Sequence, residues 1–374
     1  MTRVTSMASF RDDTESVNKG GSVKRTVVAV TVVCLLLPLA AEARFTLGDQ
    51  GVRSLNLFGM MNAGVDYDLE AGDYDPAVSF NYGAIRLFLG GNLTPQLTYL
   101  FHHTFNKGQY GLLDCWLQWQ PRQAFLVRAG QFKAPFGRFY NSSGMKLLFK
   151  GRDPIVCHCP KYQVGIAPGV CLFDGKVELN AGAFNGDGAN TFNTDPNLMY
   201  SGNLVVAPLG PVPMDESGHP GFVDPVFAIV PGFYTNPVQV TVVDTLGQVI
   251  GYEDVTTTSY GGAAAFRYDY LAFDAGYYMK TVEDSRTDGT VNSTGLSVQA
   301  GYAVGGKFEP IVRFTLLDPD TDGADNEVTT IEAGFNYYLK SYSSRLGLNY
   351  VNESVSGTGT TAKSAVQLYY QFLF

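Results

Sequence analysis

Side chains alternate between apolar and polar along the last ten residues of the chain, 365–374. One face of this stretch carries Val366, Leu368, Tyr370, Phe372 and Phe374. The opposite face carries Ala365, Gln367, Tyr369, Gln371 and Leu373. Because successive side chains of a strand point to opposite faces, the pattern predicts a strand with one apolar and one mostly polar face. Its length is what a tilted strand needs to cross a hydrocarbon layer.

The same alternation recurs along the chain and predicts an all-β fold, a closed transmembrane antiparallel β-barrel of about 16 strands. The connections alternate between short turns, such as Gly305-Gly306, and long loops, such as 134–159. A soluble sandwich, the alternative, has no reason to alternate in this way. The predicted strands are Leu55–Tyr67, Tyr82–Leu93, Leu97–Phe105, Leu112–Gln120, Phe125–Lys133, Tyr162–Phe173, Lys176–Phe184, Asn197–Pro208, Phe222–Tyr234, Thr257–Tyr268, Leu271–Lys280, Thr294–Val304, Lys307–Leu317, Thr330–Lys340, Ser344–Asn352 and Lys363–Phe374.

Charged residues inside the predicted strands give an independent check on this fold. Arg86, Arg267, Lys280, Glu309 and Arg313 each occupy the polar parity of their strand. An Arg or Lys on the lipid face would cost about 2–4 kcal/mol at the middle of the membrane. The pattern therefore predicts that these side chains face the barrel interior.

Two stretches interrupt the alternation. Residues 134–159 show none, and we expect them to form the third long loop of the barrel. The stretch 208–237 contains seven prolines, so a strand is predicted there only at Phe222–Tyr234. Residues 235–256 are predicted to be a long loop that could carry its own hairpin.

The first 43 residues are expected to be a leader that contains a secretory signal peptide at 24–43. Lys24 and Arg25 precede an apolar run, and Ala41-Glu42-Ala43 matches the cleavage rule of small residues. The barrel domain would then occupy 44–374. A membrane anchor helix is the alternative, and the short apolar run with Pro38 disfavours it.

Composition narrows the classes of partner. Only 16% of the residues are charged, against about 25% in ordinary soluble domains. The formal net charge is −9, and an acidic balance argues against nucleic-acid binding. No stretch after residue 43 contains 18 consecutive apolar residues, so no transmembrane helix is predicted there.

Five stretches together resemble the phosphate-selective porin O and P family, and they occur in the family order. The most specific is VRAGQFKAPF at 127–136. The others are AFNGDG at 183–188, DPNLMY at 195–200, FEPIVR at 308–313 and GFNYYL at 334–339. The resemblance spans nearly the whole chain after the predicted leader.

This resemblance implies a porin of the Gram-negative outer membrane, usually a homotrimer, with the third long loop folded into the lumen. Its implied partners are the lipid bilayer, lipopolysaccharide, the barrel assembly machinery and small anionic solutes. Phe374 resembles the terminal assembly signal of bacterial outer-membrane barrels. Phosphate specificity in the family depends on an arginine ladder and a lysine cluster. Asn203 stands where relatives often have Arg, which leaves general anion passage as an alternative.

A basic cluster between residues 128 and 161 is the strongest functional signal. Its seven basic residues are opposed by Asp153 alone, inside an otherwise acidic chain. If the third long loop folds inward, these charges would line the narrowest point and attract anions. A solvated outer loop that touches lipopolysaccharide is the alternative. The predicted pore-lining residues are Arg128, Lys133, Arg138, Lys146, Lys150 and Arg152.

Other motifs carry weaker signals for chemistry. Asp318, Asp320 and Asp322 resemble the start of a calcium loop, but Thr329 stands where the bidentate Glu belongs, so a solvated loop is the better interpretation. Four cysteines follow the leader: Cys115, Cys157, Cys159 and Cys171. Export favours pairing among them, for example of Cys157 or Cys159 with Cys171. The Cys157-His158-Cys159 spacing is not a standard zinc pattern.

Three functions are compatible with these patterns. The first is passive diffusion of small hydrophilic solutes with anion preference. The second is a barrel scaffold or sheath that houses a periplasmic partner protein. The third, an outer-membrane enzyme, is disfavoured because the chain contains no recognisable catalytic set, and no cofactor is predicted.

Overall fold

A computed structural model describes most of the chain after the predicted leader. The described residues are 45–48, 53–72, 77–106, 111–219, 221–243, 245, 248–323, 326–357 and 362–374. The predicted leader at 1–43, with its signal peptide at 24–43, lies outside them. No helix within these ranges is long and apolar enough to cross a bilayer.

β-Strands dominate the described residues. They are β1 (Phe45–Leu47), β2 (Leu55–Asp68), β3 (Val78–Thr94), β4 (Leu97–Thr104), β5 (Gly111–Arg122), β6 (Phe125–Lys133), β7 (Tyr162–Leu172), β8 (Val177–Phe184), β9 (Met199–Val206), β10 (Phe222–Val243), β11 (Val249–Asp269), β12 (Leu271–Asp284), β13 (Gly289–Tyr302), β14 (Phe308–Asp318), β15 (Val328–Lys340), β16 (Ser344–Val355) and β17 (Ala362–Leu373). One helical turn, α1 (Arg138–Asn141), and one 3-10 turn (Pro154–His158) lie between β6 and β7.

Strands β2 to β17 form a closed antiparallel barrel. Each pairs with its neighbour in the chain, β9 pairs with β10, and β17 pairs with β2 to close the ring. The short β1 pairs with the first residues of β2, which extend past the end of β17, and so covers that edge. The sixteen-strand barrel predicted from the alternation is confirmed.

Side-chain exposure follows the predicted parity. In β14, Val312 is 51% exposed and Phe314 is 39% exposed, whereas Glu309 and Arg313 are fully buried. In this strand, apolar side chains therefore face outward and charged side chains point into the barrel, as a lipid-embedded barrel requires. Arg267, on the polar parity of β11, is also buried.

The long loop predicted at 235–256 is instead a hairpin of two long barrel strands, and a hairpin was the alternative that the sequence left open there. Strand β10 continues to Val243 and β11 begins at Val249, and the two pair almost throughout. Pro225 falls in a register irregularity between Phe222 and Val226, where the ladder is already interrupted. Pro231 and Pro237 have the same parity in β10, so their missing N–H groups fall on one side of the strand. The ladder on one side of β10, toward β9, is short, and the ladder toward β11 is long. Prolines that point toward the weaker ladder leave the strand intact.

The end of the chain seals the barrel against β2. Backbone N–H groups and carbonyls of Phe374 and Gly59 form a reciprocal pair of hydrogen bonds, with N···O distances of 2.6 and 3.0 Å. A Cβ atom on Gly59 would lie 2.4 Å from Cζ of the Phe374 ring. The glycine therefore provides the space in which the terminal ring packs.

This seal generates a prediction for barrel assembly. Deleting Phe374 or introducing Gly59→Val should lower the yield of folded, heat-modifiable barrel, because each change disrupts the closing pair of strands. The measurement is the mobility shift between unheated and boiled samples on a gel. Gly251→Val in β11 is the matched control, since a Cβ there meets no atom within 4 Å. Unchanged folded yield of both sealing variants would contradict the assembly role of Phe374.

Candidate functional site

The connections of the barrel differ strongly between its two ends. At the end with short turns, β3 and β4 are joined by 95–96 and β5 and β6 by 123–124. The connection between β9 and β10, which begins at residue 207, is an exception at this end. At the opposite end the longest connection is 134–161, called loop 134–161 below.

Loop 134–161 contacts the inward-facing side chains of β15 to β17. Asn336 donates a hydrogen bond through Nδ2 to the carbonyl of Leu148 at 2.8 Å. Arg345 donates through Nη1 to the carbonyl of Leu147 at 2.5 Å. Leu148 has no exposed surface. The loop is therefore attached to the polar face of this wall through its own backbone.

The carboxylate of Asp153 fixes the same loop to β13 and β14. It accepts hydrogen bonds from the hydroxyls of Ser297 and Thr315, and its Oδ2 lies 3.3 Å from Nε of Arg313. It also caps the 3-10 turn by accepting from the N–H of Ile155 at 2.9 Å. Asp153, the single acid in the basic cluster, is thus a buried anchor.

Residues 207–219, called segment 207–219 below, approach this loop from the short-turn end. Arg138 donates through Nη2 to the carbonyls of Pro213 and Asp215, each at 2.7 Å. The same guanidinium pairs through Nε with Asp274 of β12 at 2.9 Å. Arg267 of β11 also donates to the carbonyl of Asp215. These contacts tie the loop, the segment and the wall into one buried network.

Glu216 is a second link between loop and segment. Its Oε2 accepts from the N–H of Leu148 at 3.1 Å, and its own N–H donates to the carbonyl of Lys146 at 3.0 Å. Burial raises the pKa of the Glu216 carboxyl, and the nearby Arg313 opposes that rise. The carboxylate therefore replaces water as the partner of a buried backbone donor.

Three of the six predicted pore-lining residues are paired with carboxylates. Arg138 is 2% exposed and bound to Asp274. Lys150 bonds to Asp66 of β2, and its side chain is 10% exposed. Lys146 lies 3.4 Å from Asp215, with a side chain that is still 42% exposed.

The other three bind neutral oxygens and form no ion pair within the described residues. Arg128 donates twice to Oε1 of Gln118, at 2.6 and 3.1 Å. Lys133 donates to the carbonyl of Ser142 at 2.9 Å. Arg152 donates to the same carbonyl at 2.8 Å. A carbonyl oxygen carries no formal charge, so it does not neutralise a positively charged donor.

Arg86 of β3 joins these cations, although it lies far from the basic cluster in sequence. A Cβ on Gly144 would lie 2.3 Å from its Nη1 and 3.5 Å from Nη2 of Arg152, so both guanidinium groups flank this glycine. The Nε of Arg86 has no hydrogen-bond partner within the described residues. Parity alone predicted that Arg86 faces inward; its place beside the loop depends on how the loop folds.

These groups border a cavity of about 550 Å³ between loop 134–161 and the inward faces of β2 to β9. Arg86, Arg128 and Lys133 line it. Two carboxylates, Asp114 and Glu178, also line it. Oδ2 of Asp114 is hydrogen-bonded to Nδ1 of His102 at 2.8 Å. The cavity therefore has an excess of positive charge.

Aromatic rings surround the Lys133 ammonium. Its Nζ lies 5.4 Å from the centre of the Tyr140 ring and 5.9 Å from that of Tyr162. The Arg152 guanidinium lies 5.2 Å from the Tyr140 ring. Burial raises the pKa of Tyr140 to about 12, so its hydroxyl stays neutral and adds no negative charge to the site.

The four cysteines are free thiols, so the expected pairing with Cys171 is wrong. Cys159 is buried beside Tyr278 near the start of β7. Cys171 lies at the far end of β7, where its N–H bonds to the carbonyl of Ala124. Strand rise alone puts nine residues of β7 at about 30 Å, far beyond disulfide reach.

All three side chains of the Cys157-His158-Cys159 stretch have shifted pKa values. Burial lowers the pKa of His158 to about 4, so the imidazole is neutral at pH 7. Burial raises the pKa of Cys159 to about 12. Cys157 is exposed at the surface, but neighbouring groups partly desolvate its thiol and so raise its pKa, against the opposing charge of Lys280.

In the predicted calcium-like stretch, aspartate side chains accept hydrogen bonds from backbone N–H groups of their own loop. Asp318 ends β14 and accepts from the N–H of Asp320, which in turn accepts from the N–H of Asp322, each at 3.2 Å. Across the described ranges, no group of three or more His, Cys, Asp or Glu side chains is placed to hold a metal ion.

Sequence and fold comparisons agree with this architecture. The family model for the phosphate-selective porin O and P matches residues 56–220 and 238–374. The gap between the two matches falls in β10, the strand with the unusual prolines. No curated protein sequence matches the chain significantly.

Solved outer-membrane barrels are similar in fold. The anion-selective porin from Comamonas acidovorans is 14% identical and has a TM-score of 0.60, with 86% of this chain and 100% of that chain covered. A loop deletion mutant of OmpT from Vibrio cholerae is 12% identical, with the same TM-score and coverage. The channel DcaP of Acinetobacter baumannii is 13% identical at a TM-score of 0.56, covering 88% of this chain and 99% of that one.

We expect removal of the Asp153 carboxylate to loosen loop 134–161. Asp153→Ala should weaken the attachment of loop 134–161 by about 1–3 kcal/mol, because Ser297, Thr315 and part of Arg313 lose a buried partner. The measurements are trypsin cleavage within the loop and open-channel current noise, both of which should increase. Asp322→Ala, in an exposed loop, is the control. Equal cleavage and noise in both variants would contradict the anchoring role.

We expect the thiols of Cys157 and Cys159 to differ in their reactivity toward maleimide. A membrane-impermeant maleimide should label Cys157 and leave Cys159 unmodified in the folded barrel, because only the first is exposed. The thiolate is the reactive form, so labelling should accelerate as pH rises toward the raised pKa of Cys157. Mass spectrometry identifies the site, and Cys157→Ser should abolish the fast phase. Fast labelling of Cys159 would show that the loop does not pack as described.

Proposed function

The chain belongs to the phosphate-selective porin O and P family, and from this premise we propose that it is a diffusion channel that prefers small anions. Phosphate would be one permeant among several. The supporting observation is the cavity beside loop 134–161, where no carboxylate of the described residues forms an ion pair with Arg86, Arg128 or Lys133. As an outer-membrane barrel, the protein would meet these solutes in water that fills its lumen.

Local charge should outweigh the overall acidity of the chain. At physiological salt the Debye length is about 8 Å, so acids on outer loops are largely screened from an ion in the cavity. Charges that line a narrow space with low-dielectric walls are screened far less. The net charge of −9 therefore does not oppose anion preference.

We propose that loop 134–161 folds into the lumen and forms the constriction. Support comes from its bonds to inward-facing Asn336 and Arg345 and from the buried Asp153 carboxylate. In this account Arg138 and Lys150 hold the loop in position, because their charges are already neutralised. Selectivity would come from Arg86, Arg128, Lys133 and Arg152, with a smaller contribution from the half-exposed Lys146.

The same arrangement weighs against a sheath function. A sheath must leave its lumen open to a folded guest protein. Here loop 134–161 and segment 207–219 both bond to inward-facing side chains, including Arg267 of β11 and Asn336 of β15. We therefore propose no guest protein and no catalytic role.

The proposed assembly is a homotrimer in the outer membrane, reached after export with a leader at 1–43 and insertion by the barrel assembly machinery. Trimer formation is stated for OmpT of Vibrio cholerae, which is 13% identical with a TM-score of 0.56. The exposed apolar faces of the strands would contact lipid, lipopolysaccharide or a second copy.

Measuring the selectivity of the channel for anions over cations tests this proposal. In a salt gradient, the reversal potential of wild-type channels should have the sign of anion preference. Arg86→Gln/Lys133→Gln should lower the anion-to-cation permeability ratio by about threefold or more, since both charges act at short range across the cavity.

The control for this experiment removes two charges elsewhere. Lys176→Gln/Lys307→Gln neutralises two exposed lysines in short turns and should leave the ratio nearly unchanged. Cation preference in the wild type, or equal shifts in the two double variants, would contradict the proposed selectivity site.

A further inference from the structure

The cavity has an apolar wall that an inorganic anion does not need. The interior of a water-filled barrel is ordinarily polar. The inward positions of β11 to β17 include many charged and amide side chains, such as Arg313, Asn336 and Gln371, beside buried apolar ones such as Ile311. Loop 134–161 bonds to Asn336 and Gln371. The inward positions of β2 to β6 depart from this polar character. Side chains there that line the cavity include Phe58, Phe88, Leu100, Trp116, Leu126 and Phe132.

Part of this wall is a flat stack of rings. Phe58 and Phe88 are parallel within 4°, with centroids 4.6 Å apart. Phe88 and His102 are 4.0 Å apart with an interplanar angle of 20°. Phe88 is buried in the middle of the stack, and Phe58 is half-buried. Phe58, Phe88 and His102 all line the cavity, so the stack contributes aromatic surface to its wall.

A second aromatic element carries a charge on its surface. The Arg128 guanidinium lies 4.5 Å above the Trp116 ring and 5.5 Å from the Phe132 ring. Gln118 holds this guanidinium in place through two hydrogen bonds. A planar guanidinium on an aromatic ring can stack on a second ring with its free face. The same group can donate to a carboxylate at its edge.

Cations and rings therefore border one space. Arg86 and Lys133 line the cavity together with Phe58 and Trp116. A hydrated phosphate or chloride ion would use only the cations. A molecule with a carboxylate at one end and a flat apolar body at the other would use both, and would remove apolar surface of the wall from water.

We propose that the cavity binds small aromatic carboxylates in transit, with the carboxylate toward Arg86 and Lys133 and the ring against Phe58 and Trp116. This inference rests on the proposed anion channel and names a solute class for it. Neutral aromatics lack the charge that the cations attract. Small carboxylates without a ring lack the stacking contact.

The test compares benzoate with acetate as blockers of chloride current through single wild-type channels. Both carry one carboxylate, so they differ in the ring. Benzoate should bind about two- to tenfold more tightly than acetate, the range expected for one aromatic stacking contact. Equal block by the two ions would overturn the inference.

Substitutions of inward-facing and outward-facing aromatic residues test whether the apolar wall causes the preference for benzoate. Trp116→Leu should reduce the benzoate preference, whereas Trp119→Leu removes the other tryptophan of the chain, which is 49% exposed on the opposite face of β5, and should not. Phe58→Leu is a second inward variant in case Trp116→Leu does not insert, with Phe101→Leu on the outer face of β4 as its control. Benzoate preference that survives Phe58→Leu and any inserted Trp116→Leu channel would overturn the assignment.

The outcomes separate this inference from the function on which it rests. Cation-selective wild-type channels would contradict the proposed anion preference itself. Anion-selective channels that treat benzoate like acetate would leave that preference intact and refute only the aromatic solute class.

Discussion

The buried pairing of the Asp153 carboxylate with Arg313 of β14 is the interaction on which the attachment of loop 134–161 to the barrel wall depends. It lies at the centre of a set of contacts that join loop 134–161 to one half of the barrel wall. Two buried charges need each other and further hydrogen bonds, because an unpaired charge in a low-dielectric interior is costly. Arg313 accordingly also pairs with Glu332 at 2.6 Å. The loop is held by the same charges that make this half of the wall polar.

Attachment to one half of the wall leaves the other half free. Among the described residues, the cations on that side, Arg86, Arg128 and Lys133, form no ion pair, and Arg128 and Lys133 bond to amide or carbonyl oxygens. The acids of the chain are not absent from the interior, since Asp274, Glu216 and Asp153 are all buried there. They form ion pairs with arginines, and these pairs help to hold the loop and segment 207–219 in place. Separation of paired charges from unpaired ones, more than net charge, is what gives the cavity its sign.

Much of the barrel could be predicted from sequence because a strand has a period of two and lipid tolerates few charges. The parity of Arg313 and Glu309 therefore sufficed to place them inside. The extension of β10 to Val243 could not be predicted locally, because proline is tolerated only when its missing donor faces a weak ladder, and that depends on the neighbouring strands.

The roles of the basic residues were harder to predict for a related reason. Sequence proximity grouped Arg138 with Lys133, yet Arg138 is paired with Asp274, 136 residues away. Arg86 was left out of the group because it is distant in sequence, although it meets Arg152 across Gly144. A pairing partner decides whether a basic side chain is an anchor or an open charge, and such partners are set by the tertiary fold. The aromatic wall was missed because Phe58 and Trp116 match the inward parity but not the polar character expected there.

We propose that the uncompensated cations beside loop 134–161 form the ion path. The most direct measurement is anomalous diffraction from crystals of the barrel soaked in sodium bromide and, separately, in rubidium chloride. If these cations form the ion path, we expect bromide peaks in the cavity near Arg86, Lys133 and Arg152, and no rubidium there. Rubidium in that cavity, or bromide confined to the outer surface, would contradict it.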